Sequence, residues 1–243
     1  METNSRVATL AGGCGLAAAT GFALGPAAIQ VGLVSPYLGF GIFMLGSLLA
    51  LLALVFGVAG LWSTRPAAGR GGRSRATLGT LLGTLVVGTI LVLASSGAGV
   101  PPINDITTDL ESPPEFAAAG SIEANQGRDM GYPGEEFARQ QRAGYPDLAP
   151  IVIIGPPRDA YQRALETSQA LGWEITARDP KQGRIEAVET TLVFRFVDDI
   201  VVRVRANPGG GSIIDVRSKS RDGRSDMGAN AARIREFGAA LTR

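Results

Sequence analysis

The sequence predicts three transmembrane helices followed by a two-layer α+β domain, with two helices and an antiparallel sheet of about five strands. No charged residue occurs at positions 7–64 or 76–104, and a membrane-spanning helix needs about 20 apolar residues. Nearly all remaining charge follows position 105, where short alternating segments are separated by turn residues. We therefore divide the chain into a membrane region at 1–99, an extended lead-in at 100–147 and an α+β domain at 148–243.

The first uncharged run is long enough for two spans, and Pro26 and Pro36 indicate where the chain breaks between them. We predict three spans, at about 7–28, 37–62 and 77–98. A cleaved signal peptide remains an alternative for the first run, although it lacks a strongly basic start. The segment LAGGCG resembles a lipoprotein box, but Ala11 stands where Leu is usual, so we interpret Cys14 as a buried small residue.

Charge next to the spans predicts the topology. The loop between the second and third spans carries four arginines and no acid, Arg65, Arg70, Arg73 and Arg75. Arginines near span ends favour the cytoplasm, so the N-terminus, with Arg6, is also predicted to be cytoplasmic. This makes a multi-pass protein of the cytoplasmic (inner) membrane, whose C-terminal domain is extracytoplasmic or periplasmic and whose first partner is the lipid bilayer.

Glycines in the spans indicate close packing of the helices. The pairs Gly21-x-x-x-Gly25 and Gly79-x-x-x-Gly83 allow two backbones to approach each other. No charged residue lies inside a predicted span, which argues against a transporter or a proton pathway.

The composition also excludes several kinds of chemistry. The chain has no histidine, which removes imidazole general bases and histidine metal ligands. Its one cysteine cannot form a disulfide framework or a thiolate zinc cluster. The net charge of +1 argues against a nucleic-acid partner, and no phosphate-binding GxxxxGK[ST] loop occurs. We predict no cofactor and no metal.

The lead-in contains PPINDITTDLESPPEF, and this stretch has two interpretations. Asp, Asn and Thr side chains bond to nearby backbone and prolines stiffen the chain, so the stretch is typical of turns. Alternatively, Asp105 and Asp109 form a polar site with arginines that follow much later in the chain.

The domain itself begins with a short apolar strand at 151–154. Pro157 then suits the first position of a helix, and Gly172 suits its C-terminal cap. Apolar and small residues recur at helical spacing between them, at Tyr161, Ala164, Leu165, Ser168 and Leu171.

Five strand-like segments follow: WEITARD, GRIEAVET, TLVFRFV, IVVRVRA and SIIDVRSKS. The turns between them are predicted at 180–183, at Asp198-Asp199 and at 207–211, and such short connections favour antiparallel neighbours. A last helix is predicted at about 226–241, with one apolar face formed by Met227, Ala231, Ile234, Phe237 and Leu241.

Alternation within the strands predicts two different sheet faces. We expect the face toward the helices to carry Leu192, Phe194, Phe196, Ile200, Val202 and Val204. The opposite face should then carry Arg195, Arg203, Arg205, Asp215, Arg217, Lys219 and Arg221. A sheet coated with arginine is the outcome.

Four segments, PPINDITTDLESPPEF, RIEAVETT, FVDDIVVRV and IDVRSKSRDGRSDMGANAARIREF, resemble the family of domains of unknown function 1499. The resemblance covers about 101–241, and the three-span preface is similar to that of some bacterial members. It implies an exported or membrane-tethered domain. It implies no agreed activity and no catalytic residues.

Our first functional hypothesis is a membrane-tethered extracytoplasmic binding module that recognises an anionic small molecule or a lipid head group. Planar arginine forks and free amides at a helix N-terminus both bind anions. The candidate ligand-binding residues are Arg217, Lys219, Arg221, Arg233, Asn230, Asp226, Asp215, Asp105 and Asp109. The same residues could instead form only a solvated lattice of salt bridges.

Two other functions remain open. One is an accessory subunit that binds a membrane-protein partner. The other is a carboxylate-dependent hydrolase, in which four carboxylates hold a hard cation or Ser218 or Ser220 acts as a nucleophile beside Lys219. The four carboxylates in question are Asp105, Asp109, Asp215 and Asp226.

Overall fold

A computed structural model describes residues 4–96 and 99–243. The chain forms two compact units. The first, which we call the membrane unit, comprises Met1–Ala98 and Leu192–Arg195, and the second, which we call the domain, comprises Gly99–Thr191 and Phe196–Arg243. The end of the third predicted span, at positions 97 and 98, lies outside the described residues.

The membrane unit contains three helices, α1 (Arg6–Gln30), α2 (Pro36–Ser63) and α3 (Arg73–Ser96). All three are long and apolar enough to cross a membrane, which confirms the predicted number of spans. The break between the first two lies at 31–35, and Pro26 is inside α1. Helix α2 begins with Pro36, whose missing N–H would have had no partner in the first turn.

Glycines bring these helices into direct backbone contact, as their spacing predicted. A Cβ on Gly25 would lie 2.6 Å from the carbonyl oxygen of Gly39, and one on Gly79 would lie 2.2 Å from that of Ala11. No side chain fits at such distances. The tight packing of the membrane unit therefore depends on the absence of a side chain at these positions.

The domain contains six strands and three helices, β1 (Asp105–Thr107), α4 (Glu135–Gly144), β2 (Ile151–Ile153), α5 (Pro157–Ala170), β3 (Glu174–Asp179), β4 (Arg184–Thr190), β5 (Val197–Ala206), β6 (Ser212–Ser220) and α6 (Ala229–Leu241). The sheet order is β1-β6-β5-β4-β3. Strand β2 pairs with the same edge of β6 as β1 does, at the other end of that strand. All pairs are antiparallel, which confirms the predicted α+β class.

One face of the sheet packs against α5 and α6 and forms the hydrophobic core. The predicted core positions of β5, Ile200, Val202 and Val204, are all buried. The ring of Trp173 stacks on that of Phe237 with centroids 5.2 Å apart. The alternation of apolar residues in β5 was therefore a correct guide to the core face.

The predicted strand TLVFRFV is wrong. Strand β4 ends at Thr190 and β5 begins at Val197, and the residues between them form a turn. Phe194 packs there against two aromatic rings of α2, with centroids 5.1 Å from both Phe40 and Phe43. Arg195 has a φ of 52°, which no strand residue adopts. An apolar alternation cannot show whether its residues pack on a sheet or on other helices.

Two further predictions about single positions are wrong. Asp198 and Asp199 do not form a turn but lie inside β5, where both are buried. In the sequence, two adjacent aspartates are typical of a turn. They can lie inside a strand here because each pairs with an arginine that is distant in the sequence. Met227 does not belong to the apolar face of α6, because it precedes the helix with a φ of 53° and is 63% exposed.

The lead-in is more structured than the sequence indicates, since it contains β1 and α4. The amide of Gln141, on α4, pairs with the outer edge of β1 as another strand would. Its Oε1 accepts a hydrogen bond from Thr107 N at 3.0 Å, and its Nε2 donates to Thr107 O at 2.5 Å. A single polar side chain thus satisfies a strand edge that would otherwise be unpaired.

Candidate functional site

The sheet face that points away from α5 and α6, which we call the outer face, carries most of the predicted site. Asp105, on β1, and Arg217, on β6, lie on this face and are 0% and 1% exposed. The guanidinium donates twice to the carboxylate, from Nε to Oδ1 and from Nη2 to Oδ2, each at 2.8 Å. This planar, two-bond pairing is the geometry that distinguishes arginine from lysine.

Arg217 also binds the chain that covers the outer face. Nη1 donates to Pro114 O and Nη2 to Met130 O, each at 3.1 Å. The guanidinium carbon lies 4.9 Å from the ring centre of Phe116 and 5.5 Å from that of Tyr132. Arg217 therefore fastens the lead-in to the sheet, and its hydrogen-bonding groups face protein partners.

Burial of Tyr132 near this pair changes its acidity. Desolvation, together with the negative charge of Asp105, raises the pKa of Tyr132 to about 12. Its hydroxyl is buried and has no hydrogen-bond partner among residues 4–96 and 99–243. The phenol is consequently neutral at any physiological pH.

A second group of ion pairs lies further along the same face. Asp215 is fully buried and accepts hydrogen bonds from Arg203 Nη2 at 2.9 Å and from Arg205 Nε at 2.8 Å. Asp109 accepts from the same two arginines, at 2.9 and 3.4 Å. The lead-in carboxylates thus do meet the downstream arginines, and turn chemistry is present too, because Asp109 Oδ1 accepts from the backbone of Glu111.

Glu186 was missed by the sequence analysis. It is 1% exposed on the outer face of β4. Its carboxylate accepts hydrogen bonds at 2.8–3.0 Å from three successive backbone amides, those of Ala117, Ala118 and Ala119. The one signal in the sequence was its position between Ile185 and Ala187, whose side chains face the core.

The outer face opens to solvent at one end, in a cleft of about 240 Å³. The lining residues are Asn104, Asn125, Arg128, Asp129, Met130, Asp199, Lys219, Ser220 and Arg221. Arg221 donates from Nε and Nη2 to the buried carboxylate of Asp199, at 2.9 and 2.7 Å. Arg128 donates to the backbone oxygen of Arg221 and to Asp222. Of the nine predicted site residues, Lys219 and Arg221 line this cleft.

Lys219 is the least constrained of these cations. Its Nζ donates to Asp105 Oδ2 at 2.9 Å and to Gly131 O at a long 3.5 Å. Asp105 is already paired with Arg217, so two cations share one carboxylate. The buried Asn125, which also lines the cleft, donates from Nδ2 to Ala119 O and Asp199, while its Oδ1 accepts no hydrogen bond from the described residues.

The other three predicted residues lie on the opposite side of the sheet, Asn230 and Arg233 in α6 and Asp226 just before it. Arg233 is 7% exposed there and donates to Asp198 Oδ2 at 2.7 Å, to Asn230 Oδ1 at 2.5 Å and to Glu189. Asn230 Oδ1 also accepts from Ser218 Oγ at 2.7 Å. The structure therefore divides the predicted site between two faces, because α6 packs on the face of β6 that carries Ser218, whereas Arg217 and Lys219 point to the other face.

Asp226 contacts no guanidinium and instead caps the start of α6. Its carboxylate accepts hydrogen bonds from Gly228 N and Asn230 N, each at 2.8 Å. Desolvation raises the pKa of Asp226, although both amide bonds oppose the shift. Its role in the described structure is that of a helix cap.

The arrangements required by the hydrolase hypothesis are not formed among the described residues. No three carboxylates or thiols in residues 4–96 and 99–243 are grouped as they would be to hold a metal ion. Ser218 and Ser220 bond to Asn230 on the α6 side of the sheet, whereas Lys219 bonds to Asp105 on the outer face. A serine-lysine pair at these positions is therefore excluded by strand geometry.

Comparison with known proteins gives a family but no activity. A family model described as "Protein of unknown function (DUF1499)" matches residues 105–241, which is more than half of the chain. No curated protein matches the chain.

Proposed function

The chain belongs to the DUF1499 family, and we propose that here the family domain is a membrane-anchored, extracytoplasmic binding module that takes up a small anion. The observation that carries the proposal is the cleft at the end of the outer face, where Lys219 and Arg221 have hydrogen-bond donors left over. The anion would be a phosphate or carboxylate group, either free in solution or on a lipid head group.

Charge around the membrane unit supports the extracytoplasmic location. Two arginines, Arg65 and Arg70, lie between α2 and the start of α3, and two more, Arg73 and Arg75, lie in the first turn of α3. The connection between α1 and α2, at 31–35, holds no charge. By the positive-inside rule the connection between α2 and α3 is cytoplasmic. Helix α3 then crosses the membrane once and carries the rest of the chain to the other side.

The donor inventory of the cleft supports anion binding. An ammonium group has three N–H donors, and Lys219 makes one short hydrogen bond and one long one. A guanidinium has five donors, and Arg221 makes two bonds to Asp199. Because Arg217 and Lys219 share Asp105, this group also carries one net positive charge.

The size of the cleft limits the ligand. Its volume of about 240 Å³ is below the roughly 300–1,000 Å³ of sites that enclose drug-sized molecules. A single anionic group therefore fits better than a large organic ligand. Asp129 also lines the cleft, and its negative charge would repel an anion. Removal of this charge should therefore change the affinity in the opposite direction to removal of the Lys219 charge.

Calorimetric titration with inorganic phosphate tests the proposal on the full chain in phosphatidylcholine nanodiscs. Lys219→Gln should weaken binding about tenfold, which corresponds to about 1.4 kcal/mol, because one charge-assisted hydrogen bond is lost. Asp129→Asn should strengthen it. Arg235→Gln is the control, since Arg235 lies outside the cleft and pairs with the exposed Asp147.

The outcomes distinguish the two sources of anion. If a lipid head group is the ligand, nanodiscs that contain phosphatidylglycerol should bind phosphate more weakly than phosphatidylcholine nanodiscs. If a free anion is the ligand, lipid composition should have no effect. Equal phosphate affinity of the parent, Lys219→Gln and Asp129→Asn chains would refute the anion site.

The predicted location has its own test. In a Cys14→Ser background, a cysteine at Gln182 should react with a membrane-impermeant maleimide in intact cells, and one at Gly69 only after permeabilisation. Both positions are exposed. The reverse pattern would place the domain in the cytoplasm.

A further inference from the structure

The turn between β4 and β5 has an unusual composition for a connection that leaves a sheet. Leu192, Val193 and Phe194 are consecutive apolar residues, and Leu192 is 86% and Val193 50% exposed. These residues belong to the membrane unit and not to the domain. A hairpin turn is usually polar because it faces water, so this turn needs a different explanation.

Phe194 joins the turn to the apolar surface of α2. Its ring meets those of Phe40 and Phe43 edge-on, at 5.1 Å from each. Helix α2 has 28 residues and is therefore about 42 Å long at 1.5 Å per residue, against a hydrocarbon core of about 30 Å. Phe40 and Phe43 lie about 6 and 10 Å from its start, and for a helix of this length centred in the bilayer the hydrocarbon begins about 6 Å from the start.

Two carbonyl oxygens of the turn accept hydrogen bonds from a side chain of α1. Gln30 Nε2 donates to the carbonyl oxygens of both Leu192 and Val193, at 2.6 and 3.0 Å. Gln30 is the only Asn or Gln between positions 7 and 64. In hydrocarbon an unpaired carbonyl costs several kcal/mol, so a donor at this place is significant.

We infer that Leu192 and Val193 are inserted into the lipid bilayer, so that this turn contacts the acyl chains in addition to α1, α2 and α3. The apolar surface that they expose continues the lipid-facing surface of α2 through Phe194. Arg195 follows directly and is exposed. Its long side chain can reach the phosphate level while the apolar residues before it remain in hydrocarbon.

Spin labelling of the full chain in liposomes tests this inference independently of the anion site. The chain has one cysteine, so a Cys14→Ser background allows a single label at Leu192→Cys and, in a second variant, at Val193→Cys. Collision rates with oxygen, which concentrates in hydrocarbon, are compared with those of a water-soluble nickel chelate. Leu51→Cys on the exposed face of α2 and Gln182→Cys in the β3–β4 turn are the two references.

Labels at 192 and 193 should resemble the label at 51, with frequent oxygen collisions and few nickel collisions. The label at 182 should show the opposite ratio. A water-like ratio at both 192 and 193 would refute lipid insertion. Low collision rates with both reagents would also refute it, because the turn would then be covered by protein.

Discussion

Replacement of Asp105 by Asn should destabilise the domain more than any exposed ion-pair variant. The substitution keeps the shape of the side chain and removes its charge, so Arg217, which is 1% exposed, loses the one carboxylate that it pairs with in the described part of the chain. Loss of one partner of a buried pair costs about 3–5 kcal/mol. Lys219 loses the same carboxylate but adds little to this cost, because it is closer to solvent and water can hydrate its ammonium group.

Urea unfolding of the full chain in detergent measures the effect. Trp173 lies in the domain core and Trp62 in α2, so a Trp62→Phe background makes tryptophan fluorescence report on the domain alone. Glu136→Gln is the matched control, since both side chains of its pair with Arg139 are exposed and solvent screens the interaction between them. High salt should reduce the effect of the control and leave that of Asp105→Asn nearly unchanged.

The double variant Asp105→Asn/Arg217→Gln completes the cycle. It should cost less than the sum of the single variants, because the second substitution removes the charge that the first left unpaired. A cost for Asp105→Asn below about 1 kcal/mol, or full additivity in the double variant, would refute the view that this pair fastens the lead-in to the sheet.

Three further predictions follow from single residues. Tyr145→Phe should leave stability at pH 7 unchanged or raise it by up to about 1–3 kcal/mol in the same assay, because the buried hydroxyl has no hydrogen-bond partner in the part of the chain that the structure describes; a loss of stability would refute this. Burial, with the charge of Asp226, raises the pKa of Tyr145 to about 12, so stability should fall as the pH rises from about 10 through 12, where the unfolded chain ionises first; Tyr145→Phe should fall less steeply. Gly79→Ala should lower the thermal stability of the membrane unit, followed by circular dichroism, whereas Gly88→Ala, which meets open space, should not; equal effects would contradict the packing argument.

The core of the domain could be predicted because its pattern is local. The period of α5 and the alternation of Ile200, Val202 and Val204 place apolar residues on one side whatever the rest of the chain does. The segment Leu192–Arg195 shows the limit of that reasoning. It alternates as a strand does, but Phe194 packs on α2 and Leu192 and Val193 are exposed, and only the path of the chain shows this.

The candidate site was predicted in part for a similar reason. Alternation correctly placed Arg217 and Lys219 on the polar face of β6, and the pairing of Asp105 with arginine was one of two interpretations of the lead-in. Glu186 and Asp199 were missed because their partners, backbone amides of the lead-in and Arg221, are brought to them by tertiary contacts.

The sequence by itself determined the membrane region, the α+β class and the two faces of the last strand, because hydrophobic length and side-chain period are properties of the chain alone. Only the tertiary structure decided which charges are paired. Ion pairing depends on distances of a few ångströms between residues far apart in sequence, such as the 2.8 Å from Arg217 to Asp105. For that reason the stretch predicted as an open anion site has two parts. Arg217 is buried in an ion pair that holds the lead-in on the sheet, whereas Lys219 and Arg221 line a cleft that is open to solvent.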